Sequence, residues 1–283
     1  MKCVLTVAGL GTRLLPLTKE LPKEMLPIYS KNSKGNLVLK PILQVIFESL
    51  YQYKIRDYCF IVGRTKRAVE DHFTSDFELV KFLKKEKKNQ LAGDLTDYFK
   101  KLEKSHIVFT YQPKPIGFGD AIQRGKKFVG EDYFLLHAGD DIVISKNNNH
   151  LNRLETNFKK YNADFAFLLE EVPDPSKYGV VDGEFLEKDI MSINKMQEKP
   201  KNPKSKFAII AIYIFKPLIF NYLSKVKKSA KPEKQLADAF NLAIKDKRKI
   251  IGVILNKNEK RIDIGTPDSY TNVLESLRPK LEE

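Results

Sequence analysis

Cysteine is scarce in this chain. There are two, Cys3 and Cys59, each inside an apolar run that reads as a buried strand. Thiols so placed argue against a disulfide framework and against a zinc site, and they read as buried free thiols. Histidine is also sparse: four residues share no spacing, and no Ser-His-Asp or Cys-His arrangement suggests itself. No apolar run approaches the length of a membrane span, and the N-terminus enters a strand at once, without the charged and apolar regions of a signal peptide. A cytoplasmic protein with no membrane partner is expected. Internal repeats are missing too, including the hexapeptide repeat that would build a C-terminal β-helix.

What is present describes a soluble globular protein. Of 283 residues, 42% are hydrophobic and 30% charged, enough for a full core in one α/β domain. Lysine and arginine number 50 against 36 acidic residues, a formal charge of +14. Much of that charge lies in runs such as "KFLKKEKK" and "KVKKSAKPEK", which read as solvated faces. These runs are not interleaved with aromatic residues, and no zinc-finger, RRM or homeodomain pattern accompanies them, so no nucleic-acid partner is expected. A positive field suits an enzyme with phosphorylated substrates.

Short runs rich in β-branched residues alternate with segments of helical period, the pattern of a mostly parallel sheet covered by helices. Strands are expected at "KCVLTVA", "YCFIVG", "HIVFTYQ", "DYFLLHAG", "DFAFLLEEV", "AIIAIYIF" and "KIIGVIL". Helices are expected at "PILQVIFESLYQY", "TKRAVEDHF", "GDAIQRGKKFV", "HLNRLETNFKKY" and "QLADAFNLAIKD". Residues 75–104 read as a polar helical excursion outside the sheet, with Phe77, Leu79, Leu83, Leu91 and Tyr98 packing locally. Residues 29–39, "YSKNSKGNLVL", read as a surface loop or hairpin.

The first strand runs into "VAGLGTR". A dinucleotide fingerprint needs a third glycine opening a helix and an acidic residue ending the second strand. Here the loop continues Thr12-Arg13-Leu14-Leu15-Pro16 and the second strand ends at Gly63-Arg64, so both requirements fail. The P-loop pattern fails as well, because no Gly-Lys-Ser/Thr closes the loop. What remains is a plain turn, or a tight backbone that brings amides against an anion with Arg13 and Lys23 adding charge. Pro16, Pro22 and Pro27 are expected to hold the following segment extended and so aim Arg13, Lys19 and Lys23 at one place.

The stretch "VAGLGTRLLPLTKELPKEMLPI" resembles the opening motif of the sugar-1-phosphate nucleotidyltransferases. The glutamate of "PKEM" and the later "VEDHFTSDFEL" are similar to the bacterial-type UTP:glucose-1-phosphate uridylyltransferases. "QPKPIGFGDAI", "LLHAGDDIV", "YGVVD", "EKP", "EKQLADAF" and "RIDIGTPDSY" follow in the family's order over nearly the whole chain. The resemblance implies a Rossmann-like mixed, mostly parallel sheet flanked by helices. It also implies a nucleotide-binding part over roughly 1–145, a sugar-binding part over roughly 146–266 and a C-terminal helix over roughly 267–283. The implied reaction is Mg2+-dependent transfer of a uridylyl group from UTP to glucose 1-phosphate. Thymidylyl transfer from dTTP, a broad-range sugar-1-phosphate nucleotidyltransferase and a non-catalytic nucleotide-sugar sensor are the alternatives. A homo-oligomer, dimer or tetramer, is implied as well.

In that reaction a sugar phosphate oxygen attacks the α-phosphorus of a nucleoside triphosphate. A phosphate monoester has its second pKa near about 6, so the nucleophile needs no general base. The difficulty is electrostatic, since two polyanions must meet and charge must be held on the leaving pyrophosphate. Asp140 lies just past an apolar strand, where open α/β sheets place ligands. On the residues alone it reads rather as a turn or helix-cap aspartate, and Asp263 as a partner of Arg261. The resemblance implies that Asp140 and Asp263 hold Mg2+; Asp141 is expected to be a bystander pointing elsewhere, since adjacent residues on an extended chain face opposite ways.

It further implies that Ala8, Gly9, Leu10, Gly11, Thr12 and Arg13 lie against the nucleotide, and that Arg13 and Lys23 face the reacting phosphates. Gln112 and Gly117 are implied to read the pyrimidine, a carboxamide offering both donor and acceptor. Lys199 would hold the sugar phosphate, Glu198 the sugar hydroxyls, and Tyr178-Gly179 the backbone approach to the sugar. Ala211 stands where the family usually has glycine, Lys206 lies near its usual asparagine, and Ala237 replaces its usual threonine. Glu233 best matches its glutamate in that segment. These departures bear on substrate choice and leave the phosphate residues intact.

Overall fold

The computed structural model describes residues 1–226 and 235–278. The chain begins with β1 (Lys2–Val7), three short 3-10 turns, β2 (Pro27–Lys31), β3 (Leu37–Pro41), α1 (Ile42–Gln52), β4 (Asp57–Val62), α2 (Arg67–His72), α3 (Phe77–Lys85), α4 (Asn89–Glu103) and β5 (His106–Tyr111). It continues with α5 (Phe118–Arg124), α6 (Lys126–Val129), β6 (Phe134–Ala138), β7 (Asp141–Ile144), α7 (Asn149–Lys160), β8 (Phe165–Glu171), β9 (Gly179–Glu187) and β10 (Ile190–Glu198). The last elements are β11 (Phe207–Phe215), α8 (Ile219–Lys225), α9 (Leu236–Lys245), β12 (Ile250–Ile254), β13 (Lys260–Asp263) and α10 (Pro267–Leu277).

Nine strands form one mixed sheet in the order β5-β4-β1-β6-β11-β8-β12-β10-β9. The first four pair in parallel, with helices in the connections that lead into β4, β5 and β6, and every side chain from Cys3 to Val7 and from Tyr58 to Val62 is buried. Strands covered on both faces require such unbroken apolar runs. Beyond β6 the pairing becomes mixed: β11 runs antiparallel to β6 and β8, β12 parallel to β8, and β10 antiparallel to β12 and β9. One face is packed by α1, the 3-10 turns and α7, the other by α5, α8 and α9, each with its own buried cluster.

All seven expected strands and five expected helical segments form, with "GDAIQRGKKFV" divided into α5 and α6 at Gly125. The β9–β10 hairpin had no clear sequence signal, because register shifts after Ile190 and Ile193 break its two-residue alternation. Residues 29–39 fall in the β2–β3 hairpin. The polar excursion packs only in part: Tyr98 is buried and Phe77 meets Phe99 edge-on at 5.6 Å, while Leu79 and Leu91 stay exposed.

One expectation is overturned. The segment after the glycine loop is not extended but folds into turns at Thr12–Leu14, Leu17–Lys19 and Lys23–Met25. Pro16 and Pro22 sit at the N-caps of two of them, where a missing N–H costs nothing. Lys19 therefore does not converge with Arg13 and Lys23; it lies at the surface, 3.6 Å from Glu20.

Candidate active site

Where β1 ends, Gly11 takes φ 65° and its carbonyl accepts a hydrogen bond from Thr18 Oγ1 at 2.8 Å. A Cβ there would lie 3.1 Å from Thr18 Cβ, so conformation and space both demand glycine. The loop so made forms one wall of a cavity of about 460 Å³ at the C-terminal ends of β1 and β6. Ala8, Gly9, Leu10, Gly11 and Thr12 line it, with Lys23, Gln112, Gly117 and Asp140 around them. The crevice at the carboxyl ends of parallel strands is where open α/β sheets bind ligands.

Arg13 is not among the residues lining this cavity. Its guanidinium instead lies against the backbone just past β13, with Nη2 3.0 Å from where a Gly265 Cβ would be.

Charge at the cavity floor is paired and largely buried. Lys23 Nζ forms an ion pair with Asp140. Burial works against the Lys23 charge, yet Asp140, Glu24 and Asp263 outweigh it and raise the ammonium pKa above its ordinary value. Beneath it Glu24, 1% exposed, accepts from Lys66 Nζ at 2.8 Å. Burial nevertheless pushes the Glu24 carboxyl up, despite Lys66 and Lys23. The Glu24–Lys66 pair was not foreseen: nothing in "GRTKRAVED" marks Lys66 as a buried counter-ion, since a lysine's burial depends on contacts far away in sequence.

Asp263 ends β13, which pairs with β7 so that Asp263 stands opposite Asp141. Burial raises the Asp263 carboxyl pKa first, and the charges of Asp141 and Asp140 add to that. Among the described residues no cluster of three or more His, Cys, Asp or Glu side chains is grouped to hold a metal by itself. Asp140 and Asp263 are thus two neighbouring carboxylates whose remaining ligands would come from phosphate oxygens and water, a donor set suited to a hard cation.

Asp141 does not line the cavity that Asp140 borders, but it is not a bystander. It is 4% exposed, accepts from Arg261 Nε and Nη2 at 2.8 Å each, and accepts the Ala211 N–H at 3.0 Å. This buried fork joins β7 and β13 to β11, and it is why Arg261 serves Asp141 rather than Asp263.

Gln112 is 6% exposed, and its Nε2 donates to the Gly117 carbonyl at 3.1 Å and to Asp120 Oδ2 at 3.0 Å. Both carboxamide protons are committed, which corrects the expectation that this side chain offers a donor as well as an acceptor. Only its carbonyl oxygen remains for a ligand.

The four sugar-side candidates come together at the end of the β9–β10 hairpin. Gly179 pairs with Glu198, and a Cβ on Gly179 would lie 3.2 Å from Glu198 Oε2. Lys199 takes φ 45°, its N–H donates to the Tyr178 carbonyl at 3.0 Å, and its ammonium stands 3.7 Å from Glu198 Oε1 with the side chain 64% exposed. The Arg261 guanidinium lies 5.0 Å from the Tyr178 ring centre. Ala211 is half-buried beside a register shift in β11, Lys206 is exposed, and Ala237 is buried in α9. Glu233 lies outside the described residues.

The family model described as nucleotidyl transferase matches residues 2–279. A putative UTP–glucose-1-phosphate uridylyltransferase of Methanocaldococcus jannaschii is 39% identical over 93% of this chain and 88% of its own. The UTP–glucose-1-phosphate uridylyltransferase of Mycoplasma genitalium is 35% identical over 99% of this chain and 92% of its own. Among solved structures, a UDP-glucose pyrophosphorylase complexed with UDP-glucose superposes with a TM-score of 0.81 at 32% identity, covering 97% of each chain. The UTP-bound UGPase of Acinetobacter baumannii gives 0.84 at 27% identity, covering 99% of this chain and 95% of its own.

Proposed function

The chain belongs to the nucleotidyl transferase family, and from that premise we propose that it transfers the uridylyl group of UTP to glucose 1-phosphate, forming UDP-glucose and pyrophosphate. The observation that carries this reading is the single cavity in which the glycine loop, Gln112, Lys23 and Asp140 meet. A glycine loop, an ammonium, a carboxylate and a buried carboxamide fit a triphosphate at one end and a base at the other.

The sugar phosphate reaches the site as a dianion, so this chain has no proton to remove from it. Lys23 meets the reacting phosphates from the cavity floor, in a partly water-excluded setting where a fixed positive charge acts strongly on developing negative charge. Arg13 lies outside the cavity lining, with its guanidinium against Gly265, two residues past Asp263. Asp140 and Asp263 would hold a divalent cation, which we take to be magnesium and which would supply charge neutralisation on the triphosphate. The Gln112 carbonyl oxygen accepts from the pyrimidine N3–H. On the facing side Lys199 neutralises the phosphate of glucose 1-phosphate, Glu198 accepts from the sugar hydroxyls, and Gly179 keeps the backbone clear of the ring.

The test is pyrophosphate release with magnesium, each of UTP, dTTP, CTP, GTP and ATP being offered with glucose, galactose, mannose and N-acetylglucosamine 1-phosphates. The maximum is expected for UTP with glucose 1-phosphate. A maximum at another pair would move the substrate and keep the reaction. No release from any pair, in a protein that melts cooperatively, would leave a nucleotide-sugar binder instead.

A further inference from the structure

Asp120 has no part in the chemistry above, yet it is buried beside the base-reading residue. It sits on α5, is 6% exposed, and stands behind Gln112 rather than on the cavity wall. Its Oδ2 accepts from Gln112 Nε2 at 3.0 Å, and the Arg124 side chain reaches the same carboxylate through Nε at 3.4 Å and Nη2 at 3.3 Å. The Gly117 carbonyl takes the other Gln112 proton at 3.1 Å.

Both partners of Gln112 accept and neither donates, so the orientation of the carboxamide follows from their chemistry. Turned through half a circle, it would lose two hydrogen bonds and set its own oxygen against a carbonyl and a carboxylate. Nε2 is therefore held inward, and Oε1, which has no hydrogen bond from the described residues, is left to the cavity.

We infer that Asp120 is a positioning residue that sets the base choice of the site, locking Gln112 so that it offers the base an acceptor and no donor. The inference rests on the reading that the nucleobase lies at Gln112. Uracil and thymine carry a proton on N3 and satisfy that oxygen. Cytosine carries a lone pair on N3, and acceptor would face acceptor, an arrangement that discriminates strongly at a buried site.

The experiment is Asp120→Asn in the full chain, with kcat and KM measured for UTP, dTTP and CTP against glucose 1-phosphate. An asparagine amide can donate or accept, which frees Gln112 to turn. The UTP-to-CTP ratio of kcat/KM should fall roughly tenfold, the change carried by KM and dTTP following UTP. A simple loss of packing would lower all three in proportion, and an unchanged ratio would overturn the inference. If Asp120→Asn does not melt cooperatively, Asp120→Ser asks the same question, since a hydroxyl also donates or accepts, and the same ratio decides. Wild-type protein that uses CTP as well as UTP would overturn the inference and leave the reaction standing. Wild-type protein that turns over no pyrimidine nucleotide would remove the functional reading itself, so the two failures remain distinct.

Discussion

The two sides of the site are built differently. On the nucleotide side the charged groups that line the cavity and the Gln112 amide nitrogen already have partners: Lys23 has Asp140, Glu24 has Lys66, and Gln112 Nε2 has Asp120 and Gly117. Lys23 and Glu24 lie in the turn Lys23–Met25, and Gln112 and Asp140 follow the C-terminal ends of the parallel strands β5 and β6. On the sugar side the groups sit at a hairpin end, where Lys199 is 64% exposed and meets Glu198 only at 3.7 Å. One side presents charges already paired within the fold; the other presents an exposed lysine beside a carboxylate. Asp140 and Asp141 mark the seam, the first facing the nucleotide cavity and the second anchoring β11 and β13.

If the nucleotide side acts as a preset electrostatic frame, its loss should dominate. Asp140→Asn is expected to lower kcat by roughly 10²–10³-fold while the protein still melts cooperatively. Turnover near the wild-type rate would take Asp140 out of the frame. Glu24→Gln leaves Lys66 buried without its counter-charge and should cost about 3 kcal/mol in chemical denaturation, as removing one partner of a buried pair does. A cost within error of zero would mean that the frame does not depend on this pair.

Lys199→Ala probes the opposite side. It should raise the KM for glucose 1-phosphate about tenfold and leave that for UTP unchanged. Equal effects on both substrates would erase the distinction between the two sides.

The smallest effect concerns acid. His150, 2% exposed on α7, has its pKa lowered from 6.5 to about 3, first by burial and then by His137 and Arg153. It is neutral in the fold and gains a proton when the chain unfolds, so its contribution is present above pH 6.5 and is lost as pH falls towards 3. Between pH 7.5 and 6 stability should fall by about 1 kcal/mol from this residue. His150→Gln should flatten that slope; an identical slope in the variant would assign it elsewhere.

Much of the frame could be read in advance. "KCVLTVA", "YCFIVG" and "DYFLLHAG" are apolar runs too continuous for anything but doubly covered strands, and they place the glycine loop and Asp140 at the same sheet end. The sugar side was harder to read. Two register shifts hide the β9–β10 hairpin, and nothing local says that Gly179 and Glu198 pair across it.

Composition, periodicity and motif order thus determined the α/β class, the strands and helices that carry the site, and the set of polar residues offered to it. They do so because apolar periodicity and glycine geometry act over a few residues. Partnership was decided only by the tertiary structure. Lys66 beneath Glu24, Arg261 with Asp141 rather than Asp263, Asp120 behind Gln112, and Lys19 turned out to solvent all depend on how chain segments meet. A side chain's charge is written in its residue type, but burial and the neighbour it faces are fixed by packing.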